Sequence, residues 1–279
     1  MRVYRINSKA KINLNLNVIR KSKKKKLHLI ESLICFVNLS DKIYITKFKS
    51  KFHKVEFTGK FSKNITKKNT ITKLLSLLDK DNVLKNKYKV QIQKKIPLES
   101  GMGGGSMNAA NLLKYFYKQK FINLNQLKKY SSKIGSDVIL GLNSKPKILY
   151  RDGSVKEVTN IKKYYILIVK PTFGCSTKKI YSSNKAFSKP EFNTSKNNIV
   201  KNVILNGKND LEKSAFKLYP ALKEIKDLLE QNKQANFVRM TGSGSAIIMY
   251  FNSNKFAKNA LKIYKRKLNN CSCIITKII

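Results

Sequence analysis

The segment Lys94–Phe116, KKIPLESGMGGGSMNAANLLKYF, holds four of the chain's twelve glycines within five positions, Gly101 to Gly105. Upstream, Val90, Ile92 and Ile96 alternate as strand residues do, and Pro97 ends the run because proline donates nothing to a sheet ladder. Downstream, Ala109, Ala110, Leu112, Leu113, Phe116 and Tyr117 share one helical face, with Ser106 and Asn108 as helix-start residues. Two roles suit such a cluster. One is a flexible connection. The other is an anion cradle: glycine lets backbone approach phosphate oxygens, and N–H groups at a helix N-terminus point at them. A strand before the loop and a helix after it favour the cradle.

Neither of two familiar phosphate loops fits. A Walker A loop ends in Gly-Lys-Ser/Thr, and this loop contains no lysine. A dinucleotide fingerprint has a third glycine where Ser106 stands, and belongs early in a parallel unit.

With 279 residues, 42% of them hydrophobic, the chain can bury a core in one large domain or two smaller ones. No apolar run approaches the length of a membrane span. The N-terminal MRVYRINSKAKINLNLNV alternates like a strand and lacks a signal-peptide apolar region, which predicts a cytoplasmic protein. Cys35, Cys175, Cys271 and Cys273 form no CxxC, so they read as buried free thiols, and two histidines are too few for a His-built metal site. The net charge of +44 would ordinarily indicate nucleic acid or an anionic surface. Here the bases are mostly lysine, spread along the chain with abundant Asn and Ile, as drift toward A/T-rich codons would leave them. Readers of nucleic acid favour Arg and aromatic stacking. The densest run, RKSKKKK at 20–26, reads as a solvated hairpin tip.

Hydrophobic periodicity predicts strands at 2–7, 10–19, 28–38, 42–49, 53–58 and 87–96, with a helix at 68–80. Helices follow at 106–118 and 124–133, then short strands at 146–150 and 155–158. After a strand at 164–170 come helices near 176–186, 197–205, 208–216 and 219–232. A strand pair around MTGSGSAIIMYF, a helix at 254–268 and a final strand CSCIITKII complete the chain. The class is α+β, divided into domains at 1–158 and 159–279.

Three segments, SKAKINLNLNV, PLESGMGGGSMNAANLL and RMTGSGSAIIMYF, resemble in kind and order the N-terminal motif, central glycine loop and C-terminal Gly-Ser-Gly motif of the GHMP kinase superfamily. LHLIESLICFVNLSDKIYI, KIGSDVILGL and VKPTFGCSTKKIY extend the resemblance to the branch whose acceptor is cytidine diphospho-methylerythritol. The resemblance implies a two-domain fold, with an N-terminal domain like domain 2 of ribosomal protein S5 and a C-terminal ferredoxin-like α/β domain. It implies ATP-dependent phosphorylation of an alcohol in the non-mevalonate route to isoprenoid precursors. It leaves as alternatives another small-molecule kinase of the homoserine or mevalonate type, and a degenerate basic nucleic-acid-binding protein. The sequence departs from the branch at Leu27, where a cytosine-stacking tyrosine is usual, at Glu99 and Ser100 within the loop, at Met107, and across YRDGSVKEV.

By the same resemblance Asp137 is the catalytic carboxylate that accepts the hydroxyl proton, and Lys11 holds it ionised and offsets charge on the transferring phosphoryl group. Pro97, Gly101, Gly103, Gly104, Gly105 and Ser106 cradle ATP, and Gly242, Ser243 and Gly244 close the site, unless they form only a tight hairpin turn. Mg²⁺ rides on the phosphates, with no protein cage. His28 offers a ring nitrogen to the cytosine edge. Tyr181 reads equally as a stacking face or as helix packing, and Asn13 equally as a substrate-binding amide or a strand-edge residue. The partner is a small molecule, with no specific nucleic acid and no membrane, and the protein is a monomer or homodimer.

Overall fold

The structure is a computed structural model describing residues 2–21 and 28–279. The lysine-rich tip and Leu27 lie outside the described residues, apart from Arg20 and Lys21. The chain forms two compact units, both discontinuous in sequence: Met1–Lys11, Leu39–Leu98 and Gly103–Ser144 make the first, and Ile12–Asn38, Glu99–Met102 and Lys145–Ile279 the second.

The first unit contains most of β1 (Tyr4–Asn13), the later part of β3 (His28–Phe48), β4 (Lys54–Thr58) and β5 (Lys87–Gln93). Strand β3 pairs antiparallel with β5, from Lys42 opposite Gln93 to Phe48 opposite Lys87, and β4 runs parallel to β5. Helices α1 (Thr70–Lys80), α2 (Gly104–Lys118) and α3 (Leu124–Ile134) complete the unit, followed by a 3-10 turn at Ile139–Leu142. Tyr88, Val90 and Ile92 alternate inward along β5 and pack with Ile43 and Ile45 against Leu74, Leu78, Leu112, Leu113 and Phe116 of the helices. Each such side chain contributes roughly 1.5–3 kcal/mol of burial. Asn69 and Asn123 start α1 and α3 as capping boxes, with Thr72 and Gln126 returning the bond.

Two expected strand breaks are absent. Ser8 and Lys9 look like a turn in sequence, yet β1 runs through them, with Ser8 buried and accepting from Asn111 Nδ2. The polar stretch Asn38 to Asp41 also looks like a turn, yet β3 is one 21-residue strand. Asp41 is fully buried and carries four hydrogen bonds, which replace the solvent a turn aspartate would use. In the first of these segments the break comes instead after Asn13, between β1 and residue 17, where Leu16 exchanges backbone bonds with Lys208 and Asp210 in the second unit that it shares with them.

In that unit β8 (Tyr165–Pro171), β9 (Phe237–Met240), β10 (Ile247–Phe251) and β11 (Cys271–Lys277) form an antiparallel sheet in the order β11-β8-β10-β9. Helices α4 (Thr177–Ser183), α5 (Lys196–Asn206), α6 (Leu211–Leu218), α7 (Pro220–Glu230) and α8 (Asn254–Lys267) belong to it. So do β2 (Asn17–Lys21), β6 (Lys147–Leu149) and β7 (Val155–Glu157). Leu167, Val169, Ile247, Met249 and Phe251 meet Leu222, Leu229, Ala257 and Ala260, with Leu16 and Val18 joining from early in the chain.

All four cysteines are free; Cys35 and Cys175 are buried as expected, but Cys271 and Cys273 are half-buried. Burial pushes the thiol of Cys35 up to about 12 and those of Cys175 and Cys271 to about 11, so none of these three is a ready nucleophile. Among the described residues no helix is long and apolar enough to cross a membrane.

Candidate active site

Helix α2 starts at Gly104, two residues before the expected start at Ser106, and its N-cap is Gly103 in the left-handed region (φ 65°, ψ 21°). No side chain caps it. Ser106 therefore lies in the first turn, and Asn108 is a buried residue of the helix body. The first amide bonded along the helix is that of Met107, to Gly103 O at 2.8 Å. An uncapped helix start leaves N–H groups for an anion, aided by the positive end of the dipole.

Lys11 runs its stem past Gly103: a Cβ at Gly103 would lie 3.1 Å from Lys11 Cγ and Cε. Its Nζ is 3.5 Å from Asp137 Oδ2, with side-chain exposures of 6% and 39%. The separation exceeds the 2.7–2.9 Å of a charge-assisted hydrogen bond, so this lysine orients the carboxylate electrostatically without clamping it. Asp137 follows Gly135, the C-cap of α3, and precedes the 3-10 turn, which has no side-chain cap. The turn is pressed onto α2 at Gly141, where a Cβ would come within 3 Å of Ala110 and Met107.

The second unit holds the loop apex and the Gly-Ser-Gly segment together. Ser245 N donates to Glu99 O at 3.0 Å and Ala246 N to Ser100 O at 3.3 Å. Gly101 (φ 73°) has no room for a side chain, since a Cβ would sit 1.9 Å from Thr241 O. Gly242, Ser243 and Gly244 form the tight turn between β9 and β10, and Ser243 Oγ bonds Thr177 Oγ1 at 2.7 Å. The Glu99 side chain lies along Gly174, where a Cβ would meet Oε2 at 1.8 Å. Pro97 belongs to the first unit and is buried.

His28 and Tyr181 come together in the second unit with ring centroids 5.0 Å apart, and Phe187 adds a third ring 6.4 Å from His28. Burial, then the charge of Lys21, holds the His28 imidazole below its ordinary pKa, so it is neutral at pH 7 with one ring nitrogen able to accept. Asn13 donates its side-chain amide to Ser32 Oγ at 2.7 Å and its backbone N–H to Thr241 Oγ1 at 2.9 Å. That side-chain bond commits one amide hydrogen.

Sequence reasoning gave no site role to Thr177, Phe187, or the buried set Asp41, Lys94 and Asn108. Asp41 carried a signal: a charged residue at an inward position between apolar strand residues. Phe187 lies in a segment without periodicity and carried none.

The chain matches the family models for the GHMP kinase N-terminal domain over residues 69–146 and the GHMP kinase C-terminal region over residues 195–270. Its class is therefore GHMP kinase. A 4-diphosphocytidyl-2-C-methyl-D-erythritol kinase of Pelagibacter ubique is 51% identical over 283 residues, covering 100% of both chains. One of a Wolbachia strain from Drosophila simulans is 30% identical, covering 93% of each. A crystal structure of 4-(cytidine 5'-diphospho)-2C-methyl-D-erythritol kinase superposes with a TM-score of 0.78 over 99% of each chain at 21% identity, a likeness of fold. The chain belongs to the 4-diphosphocytidyl-2-C-methyl-D-erythritol kinase family.

Proposed function

We propose that the protein transfers the terminal phosphoryl group of ATP to the 2-hydroxyl of 4-diphosphocytidyl-2-C-methyl-D-erythritol, giving the 2-phosphate and ADP, in the methylerythritol phosphate route to isoprenoid precursors. The observation that carries this reading is the Lys11–Asp137 contact beside Gly103, at the uncapped start of α2. The full-length similarity to kinases of that name supports the acceptor.

Asp137 takes the hydroxyl proton as the O–P bond forms, and Lys11 offsets charge on the transferring phosphoryl group and holds the alcohol oxygen in place. Gly103, Gly104, Gly105 and Ser106 receive the phosphates through backbone N–H groups, with Pro97 setting the approach to the loop. Gly101, Gly242, Ser243 and Gly244 are assigned to the nucleotide as well. His28, Tyr181 and Asn13 are assigned to the cytidine-bearing acceptor. Mg²⁺ would neutralise the phosphates and ride on them, with the Ser106 hydroxyl as the side-chain oxygen of the first turn of α2. Among the described residues no three of His, Cys, Asp and Glu gather to hold a metal.

The reading places the protein in the cytoplasm, as a monomer or homodimer without a specific nucleic-acid partner. It divides the chain by motif into 1–158 and 159–279, with one family-model match on each side, while the second compact unit also takes Ile12–Asn38 and Glu99–Met102 from the earlier part. The test is ADP release with a panel of acceptors, followed by product analysis for phosphate on the 2-hydroxyl. Turnover with homoserine or mevalonate and none with the cytidine acceptor would sink it.

A further inference from the structure

Asp41 has 0% exposure and sits in β3, upstream of the loop in sequence and with no place in the reaction described above. Its Oδ1 accepts from Lys95 N at 2.8 Å and Ile96 N at 2.9 Å. Its Oδ2 accepts from Asn108 Nδ2 at 2.9 Å and from the ammonium of Lys94. Lys94 and Asn108 are each 2% exposed. All these residues lie in the first unit.

The donors are not scattered. Lys95 and Ile96 are the last residues before Pro97 and the loop, while Asn108 is in the second turn of the helix that leaves it. One carboxylate therefore ties the entry of the loop to its exit. The Lys94 ammonium extends beneath the first residue of α2: a Cβ on Gly104 would lie 3.2 Å from Lys94 Nζ and from Ile96 Cγ2. This accounts for glycine at position 104, whose φ is not in the left-handed region.

Stability alone does not explain the arrangement. A buried ion pair is seldom better for a fold than apolar residues of the same volume, because both charges lose their water. The network also leaves Asn108 Oδ1 buried with no hydrogen-bond partner among the described residues, which is unfavourable. What four convergent bonds do supply is a fixed span between the chain ends of the loop. A lysine ammonium at a helix N-terminus opposes the dipole, and Asp41 offsets that charge while leaving the N–H groups of the first turn to a ligand.

We propose that Asp41 is the positioning residue of the phosphate loop, setting nucleotide affinity through Lys95, Ile96, Lys94 and Asn108 without touching the nucleotide. The inference rests on reading that loop as the ATP cradle. Asp41→Asn turns an amide toward two donors and removes the charge paired with Lys94. The exchange Asp41→Asn with Asn108→Asp returns one carboxylate to the cluster from the opposite side.

The experiment measures the KM for ATP, the KM for the acceptor and kcat by ADP release, the ATP Kd by calorimetry, and thermal unfolding. For Asp41→Asn the expected result is a tenfold or greater rise in ATP KM and Kd, with acceptor KM and kcat within about threefold of wild type. The exchange should recover most of the ATP affinity. Asn108→Leu, which removes one tie and the orphaned acceptor together, should raise the ATP KM in the same direction and provides the reading if Asp41→Asn does not fold. Unchanged ATP affinity in a folded variant overturns the inference, as does an equal rise in both KM values. Absence of ATP binding by the wild-type protein overturns the kinase reading and this inference with it. Wild-type binding alongside unchanged affinity in Asp41→Asn removes only the latter.

Discussion

Gly103→Ala separates what the loop does for the fold from what it does for chemistry. Gly103 sits at φ 65°, and its missing Cβ would lie 3.1 Å from Lys11 Cγ and Cε. An L residue in the left-handed region costs about 1–2 kcal/mol. Stiffening the unfolded chain by Gly→Ala returns about 0.4–1 kcal/mol. The net loss is about 1 kcal/mol, or roughly 3–6 °C in thermal midpoint for a unit of this size. Gly153 provides the matched control, since it has φ 86° with no atom within 4 Å of an added Cβ. Gly153→Ala carries the backbone strain and nothing else. At Gly103 the methyl must also push the lysine stem back toward ordinary contact at about 3.5–4.0 Å. That shift is several tenths of an ångström, and it moves Nζ against a carboxylate now 3.5 Å away. Misplacement approaching 1 Å at a reacting centre costs up to about a hundredfold. The expected result is a similar thermal shift for both variants, with kcat reduced about tenfold or more only in Gly103→Ala. Wild-type kcat in Gly103→Ala, with the thermal shift present, would refute the role given to Lys11.

Other outcomes follow from the same arrangement. Asp137→Asn keeps the size and loses the proton acceptor, so kcat should fall roughly a hundredfold or more with ATP affinity nearly unchanged, as calorimetry and steady-state rates will report. His28 is held below its unfolded pKa, so the unfolded chain binds its proton more readily. Its contribution to stability is present above about pH 6.5 and is lost as pH falls from there through the folded value. The difference in thermal midpoint between wild type and His28→Asn should therefore be level above pH 7 and change between pH 7 and 5; a constant difference contradicts the burial argument. Any binding of RNA should be purely electrostatic and vanish with salt, while kinase turnover persists. A sequence preference surviving at physiological salt counts against that account of the +44 charge.

Much of the fold was legible because its core follows simple periods. The alternation of Tyr88, Val90 and Ile92 and the helical face from Ala109 to Phe116 place β5 and α2 where the sequence suggests. The residues at the start of α2 were misjudged for a physical reason. Ser106 and Asn108 are good capping residues in isolation, but the helix begins uncapped at Gly104, and Asn108 is instead taken by a buried carboxylate. Asp41 was unreadable as a hub because its donors come from more than fifty residues away in sequence, and local rules assign a polar stretch to a turn. Glu99, a departure from the branch within the loop, lays its side chain along Gly174, a pairing no local pattern encodes.

The chain passes from one compact unit to the other after Lys11, Asn38, Leu98, Met102 and Ser144, and β3 belongs to both. No single cut in sequence order releases either unit whole. A fragment beginning at residue 159 lacks Leu16 and Val18, which fill the core of the second unit, and lacks the Glu99–Met102 segment that bonds to Ser245 and Ala246. Recombination at one breakpoint therefore cannot graft half of this molecule onto another ancestry without leaving an unfilled core behind. Glu99, which lies along Gly174, sits in a four-residue segment bounded by first-unit chain on both sides, so even that packing depends on residues a single cut would separate.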